Sequence, residues 1–168
     1  MSVRVGLGFD AHPFSADQGR PLVLGGVVVE GVAGLEGHSD ADVVAHAVAD
    51  ALLGPAGLGD LGGRFPADDP AWEGADSIEL LRTVVGEVAG AGWRVANVDC
   101  AVVLERPRLA PHRRAMELRL AAVVGAPVTI KAKSPEGLGA LGRAEGVACW
   151  AVALLEAAPA GAGAEGGA

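Results

Sequence analysis

The sequence predicts an α+β fold: a mixed β-sheet covered on one face by helices, with a hairpin near the N-terminus. Strand-like and helix-like segments follow one another in the order β, hairpin, α, α, β, α, β, β, which suits such a layered arrangement. At 168 residues the chain has the size of one domain and can bury about 70% of its unfolded surface in a single core. Hydrophobic residues make up 51% of it but aromatics only 4%, with no Tyr and with 26 Gly, so that core is built from small aliphatics and permits close backbone approach.

Val3 to Phe9 reads as the first strand and runs into Asp10-Ala11-His12-Pro13. Pro21 to Leu24 and Val27 to Val29 flank Gly25-Gly26, a hairpin signature. Ser39-Asp40-Ala41-Asp42 has the form of a capping box before an apolar-periodic helix to Leu53, which Gly54-Pro55 is expected to stop. Gly57 to Asp69 reads as a Gly/Asp-rich loop. Asp76-Ser77-Ile78-Glu79 caps a second helix, whose Ile78, Leu81, Val85 and Val88 keep helical spacing up to Gly90. Trp93 to Leu104 is a strand, Pro111 opens a third helix to Val124, and Val128 to Lys133 is a further strand. Ser134 to Gly146 is glycine-rich and reads as loop. Val147 to Leu155 satisfies either period; Val, Trp and the preceding Gly146 favour a strand. Residues 1–157 thus form one expected domain. Residues 158–168 contain only Ala, Gly, Pro and one Glu and are expected to be a disordered tail.

The net charge of −8 and the pI of about 4.9 argue against a general nucleic-acid or anionic-membrane surface. The longest apolar run is far short of the ~18 residues of a membrane span, and no signal-peptide core follows Met1-Ser2-Val3-Arg4, so the expectation is a soluble, cytoplasmic chain. Cys100 and Cys149 form no C-x-x-C pair and read as buried thiols, which fits a reducing compartment.

Four features bear on chemistry. Asp10 and His12 stand two apart at a strand end, so both leave the same face and can converge on one metal; His46, on the first helix, is a candidate third ligand. The opposing reading is a pair of surface polar residues and a core histidine bonded to Asp42 or a carbonyl. His38-Ser39 precede the first helix, a position suited to a phosphate, or to an ordinary N-cap serine. Asp60-Leu61-Gly62 and Phe65 to Asp69 are hydroxyl or metal partners, or solvated turn residues. Lys131 and Lys133 are the only lysines and share a strand face, with Ser134, Glu136 and Arg143 following; a solvated strand edge is the competing account. Together these features suit phosphoryl transfer.

The strings Gly8-Phe9-Asp10-Ala11-His12, His38-Ser39-Asp40-Ala41-Asp42 with His46, Leu58 to Gly62 with Phe65-Pro66, Gly74 to Ser77, and Gly142 to Gly146 together resemble the 2-C-methyl-D-erythritol 2,4-cyclodiphosphate synthase family, in order from about Val3 to Leu155. The resemblance implies a homotrimer with active sites between subunits. It implies a zinc ion on Asp10, His12 and His46, and a second divalent ion, Mg2+ or Mn2+, near Glu136. The implied substrate is 4-diphosphocytidyl-2-C-methyl-D-erythritol 2-phosphate, whose 2-phosphate attacks the β-phosphorus and expels CMP. Its methylerythritol and phosphate part is matched to Asp10, His12, His38, Ser39, Asp60, Leu61, Gly62, Phe65, Asp68 and Asp69. The cytidine diphosphate is matched to Leu104, Arg106, Pro107, Arg108, Ala110, Lys133, Ser134 and Glu136, with Ala140 and Arg143 further along the chain. His38 and Ser134 are the expected catalytic residues, and His38, which precedes a helix N-terminus, is expected to position the transferring phosphate without binding zinc. The chain departs from the pattern at Lys133-Ser134-Pro135, where the family is Thr-rich, at Ala67, where Asp is usual, and at Ala140, where Phe is usual. Two other functions are weighed against this one: a zinc phosphohydrolase using metal-bound water, and a non-enzymatic trimer with structural zinc. The second is disfavoured because neither cysteine lies near the Asp10-x-His12 segment.

Overall fold

The computed structural model describes residues 2–159. Its main sheet has four strands in the order β1-β6-β4-β5, formed by β1 (Val3–Pro13), β4 (Trp93–Val103), β5 (Val128–Lys133) and β6 (Gly146–Ala157). β6 runs antiparallel to both β1 and β4, whereas β5 is parallel to β4, so the sheet is mixed. β1, β4 and β5 therefore end at the same edge of the sheet. β2 (Pro21–Leu24) and β3 (Val27–Ala33) make a separate antiparallel pair.

Helix α1 (Val43–Ala56) lies across β1 and β6, with α3 (Ser77–Gly90) packed beside it and α4 (Arg113–Val124) packed against α3 and β5. Strand β1 turns its small residues to this helix and its large ones away. A Cβ on Gly8 would stand 1.8 Å from the Ala47 carbonyl oxygen, and one on Gly6 would stand 2.0 Å from that of Ala51. Both positions need glycine because the helix and strand backbones touch. Val3, Val5, Leu7 and Phe9 point to the opposite side, where they are 53%, 69%, 68% and 49% exposed, beside Trp150 and Val152 of β6.

Helix α1 is apolar nearly all round, with Val43, Val44, Ala47, Val48, Ala51, Leu52 and Leu53 buried. Asp42 is its N-cap and is wholly buried. Its carboxylate accepts from Val44 and Ala45 N–H and from Gly25 and Gly26 N–H in the β2–β3 turn, tying that turn to the helix.

Several boundaries differ from expectation. Helix α1 runs through Pro55 and ends at Gly57 in a left-handed conformation. Pro55 removes only the bond to the Ala51 carbonyl, in the last turn, where Gly6 packs closely. Helix α4 begins at Arg113, since Leu109 to His112 form a turn in which the Leu109 carbonyl accepts from both His112 and Arg113. The expected loops hold short helices: α2 (Leu61–Arg64) capped by Asp60, a 3-10 turn over Pro70–Trp72 capped by Asp69, and α5 (Gly139–Gly142). The run from Val147 is a strand, paired on both sides. Of the expected tail, Ala158 donates to Gly92 O at 2.8 Å, and the part from residue 160 lies outside the described residues. Among the described residues no helix is long and apolar enough to cross a membrane.

Candidate metal centre and substrate cavity

Asp10 and His12 sit on the helix-facing side of β1, continuing the row begun by Gly6 and Gly8. The close backbone approach that those glycines allow brings His46 of α1 against them. Asp10 Oδ2 lies 2.9 Å from His46 Nδ1 and 3.1 Å from His12 Nε2. One donor atom from each of the three residues lies within 4.8 Å of the others, and among the described residues this is the only group of three or more His, Cys, Asp or Glu side chains able to hold a metal. Two imidazole nitrogens and one carboxylate, open to a cavity, suit a divalent ion with a free coordination position.

The electrostatics agree. Burial raises the Asp10 carboxyl, but the hydrogen bonds and positive charge of His12 and His46 outweigh it and hold Asp10 well below the usual carboxylate range. Burial lowers His46, yet the bond to Asp10 and the charges of Asp10, Asp42 and Asp40 raise it overall. The metal-free ring thus favours a proton on the nitrogen that a metal would take.

The cavity in front of this group has a volume of about 260 Å³. Of the expected site residues it brings together Asp10, His12, His38, Ser39, His46, Leu61, Gly62 and Phe65. His38 Nε2 donates to Asp69 O at 2.9 Å, and Arg20 fastens the same segment through Gly37 O (3.0 Å) and Ser39 O. The supposed phosphate site at the α1 N-terminus is not free, because the Asp42 carboxylate already accepts from the Val44 and Ala45 amides. Asp60 and Asp69 are occupied in capping α2 and the 3-10 turn, and Asp68 is exposed beside them.

Four residues escaped the sequence reading. Asp50, one helical turn after His46, lines the cavity and accepts from Leu61 N–H at 2.7 Å. Burial raises its carboxyl, with the charge of Asp60 adding to the effect. Trp72 lines the cavity edge-on to Phe65, their centroids 4.9 Å apart. Asp40 and Ser77 stand behind His46. Asp50 carried a signal in its one-turn spacing from His46, and Asp40 and Ser77 lay within the family strings and helix caps without any sign that they meet at His46.

The remaining expected residues lie elsewhere. Asp10, Cys149, Val102 and Ala132 form one row across the sheet, so the end of β5 stands about 14 Å from Asp10, three strand spacings away. Lys133, Ser134 and Glu136 are exposed there. Ser134 Oγ donates to Glu105 Oε2 at 3.2 Å and accepts from Glu136 N–H at 3.0 Å. Lys131 pairs with Asp99 at 2.5 Å. Leu104 is buried and its N–H bonds Lys133 O, while Arg106, Arg108 and Ala110 are exposed and Pro107 is half-buried. Ala140 is exposed, and Arg143 pairs with Glu145 at 2.5 Å. Glu136 does not join the Asp10 group within one chain.

A family model described as the YgbB family matches residues 3–156. The chain belongs to that family. A relative named 2-C-methyl-D-erythritol 2,4-cyclodiphosphate synthase, from Bordetella petrii, is 55% identical over 155 residues, covering 90% of this chain and 94% of its own. The fold is also similar to the bifunctional IspDF of Campylobacter jejuni, with a TM-score of 0.88 and 37% identity over 93% of this chain and 42% of that longer one. A CDP complex of IspF from Plasmodium falciparum has a TM-score of 0.81 at 27% identity, covering 94% of this chain and 98% of its own. The YgbB match spans both the Asp10 group and the β5 edge.

Proposed function

We propose that this YgbB-family chain is a 2-C-methyl-D-erythritol 2,4-cyclodiphosphate synthase of isoprenoid biosynthesis, a cyclising, CMP-releasing phosphorus–oxygen lyase. The observation that carries the proposal is the Asp10, His12 and His46 donor set, opening on a cavity walled by His38, Ser39, Leu61, Gly62 and Phe65. The substrate is 4-diphosphocytidyl-2-C-methyl-D-erythritol 2-phosphate. An oxygen of its 2-phosphate forms a bond to the β-phosphorus, and the bond from that phosphorus to the CMP oxygen breaks.

The nucleophile is already ionised, so no general base is needed; the residues align the reacting groups and offset charge. Asp10, His12 and His46 hold a zinc ion, which supplies Lewis-acid neutralisation of phosphate oxygens when bound. Ser39 and His38 orient the transferring phosphate, His38 being held by Asp69 O. Asp60, Leu61 and Gly62, with Phe65, Asp68 and Asp69, enclose the methylerythritol part, and Asp50 fixes Leu61. Leu104, Arg106, Pro107, Arg108 and Ala110 with Lys133 to Glu136 take the cytidine diphosphate; there Ser134 exchanges its Glu105 bond for a phosphate oxygen. Glu136 is the protein ligand of a second divalent ion, Mg2+ or Mn2+, hard enough for diphosphate oxygens.

The two halves lie about 14 Å apart in one chain. The proposal therefore includes a homotrimer in which a neighbour's β5 edge completes each cavity. The exposed row of Val3, Val5, Leu7 and Phe9 with Trp150 supports such packing. Ala140 and Arg143 face its axis. A cytoplasmic location completes the proposal, since the buried thiols Cys100 and Cys149 suit a reducing compartment. Phosphorus NMR of the reaction tests the function: a cyclic diphosphate with CMP is expected, and an open-chain product would assign hydrolysis instead.

A further inference from the structure

His46 is gripped from both sides of its ring. Nδ1 faces Asp10, while Nε2 lies 2.8 Å from Ser77 Oγ and 3.3 Å from Ser39 Oγ. Ser77 is 1% exposed and opens helix α3, so the contact joins two helices. Its hydroxyl is not needed to cap α3, because Asp76 does that through Ile78 N–H.

Counting protons settles which way these bonds run. The Asp40 carboxylate accepts three hydrogens: Ser77 N–H at 3.0 Å, Asp42 N–H at 3.1 Å and the Ser77 hydroxyl in a very short bond. An ionised carboxylate only accepts, so the single hydroxyl hydrogen of Ser77 goes to Asp40. Ser77 Oγ can then serve His46 only as an acceptor, which requires a hydrogen on Nε2. A neutral His46 with its hydrogen on Nε2 carries its lone pair on Nδ1, the atom that meets Asp10 and His12.

We propose that Ser77 and Asp40 are positioning residues for the metal centre: their hydrogen-bond chain holds the His46 hydrogen on Nε2, aims Nδ1 at the metal and fixes the ring plane. The inference rests on the reading of Asp10, His12 and His46 as metal ligands and adds the device that orients one of them. Partners of this kind typically change metal affinity about 10- to 100-fold when removed. A consequence follows for Ser39. Since Ser77 takes the Nε2 hydrogen and Ser39 Oγ already accepts from Ala41 N–H, the Ser39 hydroxyl hydrogen is left for the cavity.

The test is cobalt(II) binding to the metal-free protein, followed by its visible absorption and by chelator competition. Ser77→Ala and, separately, Asp40→Asn are expected to weaken cobalt affinity about 10-fold or more at a temperature where circular dichroism shows each folded. Ser77→Thr, which keeps the hydroxyl, is expected to restore most of the affinity and the wild-type spectrum. Affinity within twofold of wild type in either loss variant, or a Thr variant as weak as the Ala one, would overturn the relay. A wild-type protein that takes up no cobalt would instead overturn the metal reading beneath it.

Discussion

The two halves of the proposed site are built on different principles. At the β1–α1 side, glycines bring backbones into contact, and every ligand is braced: Asp10 by two histidines, His46 by Asp10 and Ser77. At the β5 edge the side chains are exposed and bond one another, Ser134 to Glu105 and Lys131 to Asp99. In the proposed assembly the first half is finished within one chain and the second is completed by a neighbour. Preorganisation is concentrated at the Asp10, His12 and His46 donor set, and the proposed nucleotide half is left for a neighbour and substrate to order.

Breaking the braced half is expected to have the largest effect. His46→Ala removes one of three ligands and should lower turnover about 10²–10³-fold with loss of metal, read by elemental analysis and product assay. A fully metal-loaded variant would remove His46 from the ligand set. His38→Ala should lower turnover while retaining metal. Gly8→Ala tests the backbone contact beneath: with the Ala47 carbonyl 1.8 Å from the added methyl, the fold should lose about 1–3 kcal/mol, seen as a lower Tm. An unchanged Tm would mean that helix and strand need not touch.

At the exposed half the contrast is between two lysines. Lys131 is already paired with Asp99, whereas Lys133 stands at the strand end next to Ser134. Lys133→Met should cost about 1–3 kcal/mol in transition-state binding, or roughly 5- to 150-fold in kcat/KM, and Lys131→Met much less. Equal effects would show that only the general charge of the strand matters.

A smaller effect follows from pH. The His46 pKa is raised above 6.5, so below it a proton competes for Nδ1 while Asp10, depressed from 3.8, stays ionised. Metal affinity should therefore rise about tenfold per pH unit up to the His46 pKa and then level off. In the metal-free protein the signs are opposite for the two partners. Stability from His46 is full below 6.5 and lost as pH rises through its folded pKa. That from Asp10 is full above 3.8 and lost as pH falls through its own. A flat affinity profile would separate metal binding from His46.

These contrasts also mark what the chain reveals before folding. Asp10 and His12 were legible because strand alternation puts them on one face, and the order of strands and helices was legible from periodicity and caps. The roles of Gly6 and Gly8 were not, since alternation of Val3, Val5, Leu7 and Phe9 with small residues invites the large ones inward, and the helix reverses that preference by backbone contact. Asp40 and Ser77 are separated by the whole of α1 and the following loop, and only tertiary packing joins them at His46. Asp42 looked like part of a helix cap, and its second task, holding the Gly25-Gly26 turn, has no local signature.

The claim that each site is shared between chains is tested most directly by complementation. His46→Ala disables only the metal half and Glu136→Ala only the β5 half. Chains carrying one or the other, co-expressed in equal amounts with different tags and purified as mixed trimers, bring an intact metal half beside an intact β5 half at about one interface in three. The account predicts activity near a third of wild type from two parents that are each nearly inactive. Mixed oligomers no more active than either parent would contradict it and place the whole site within one chain.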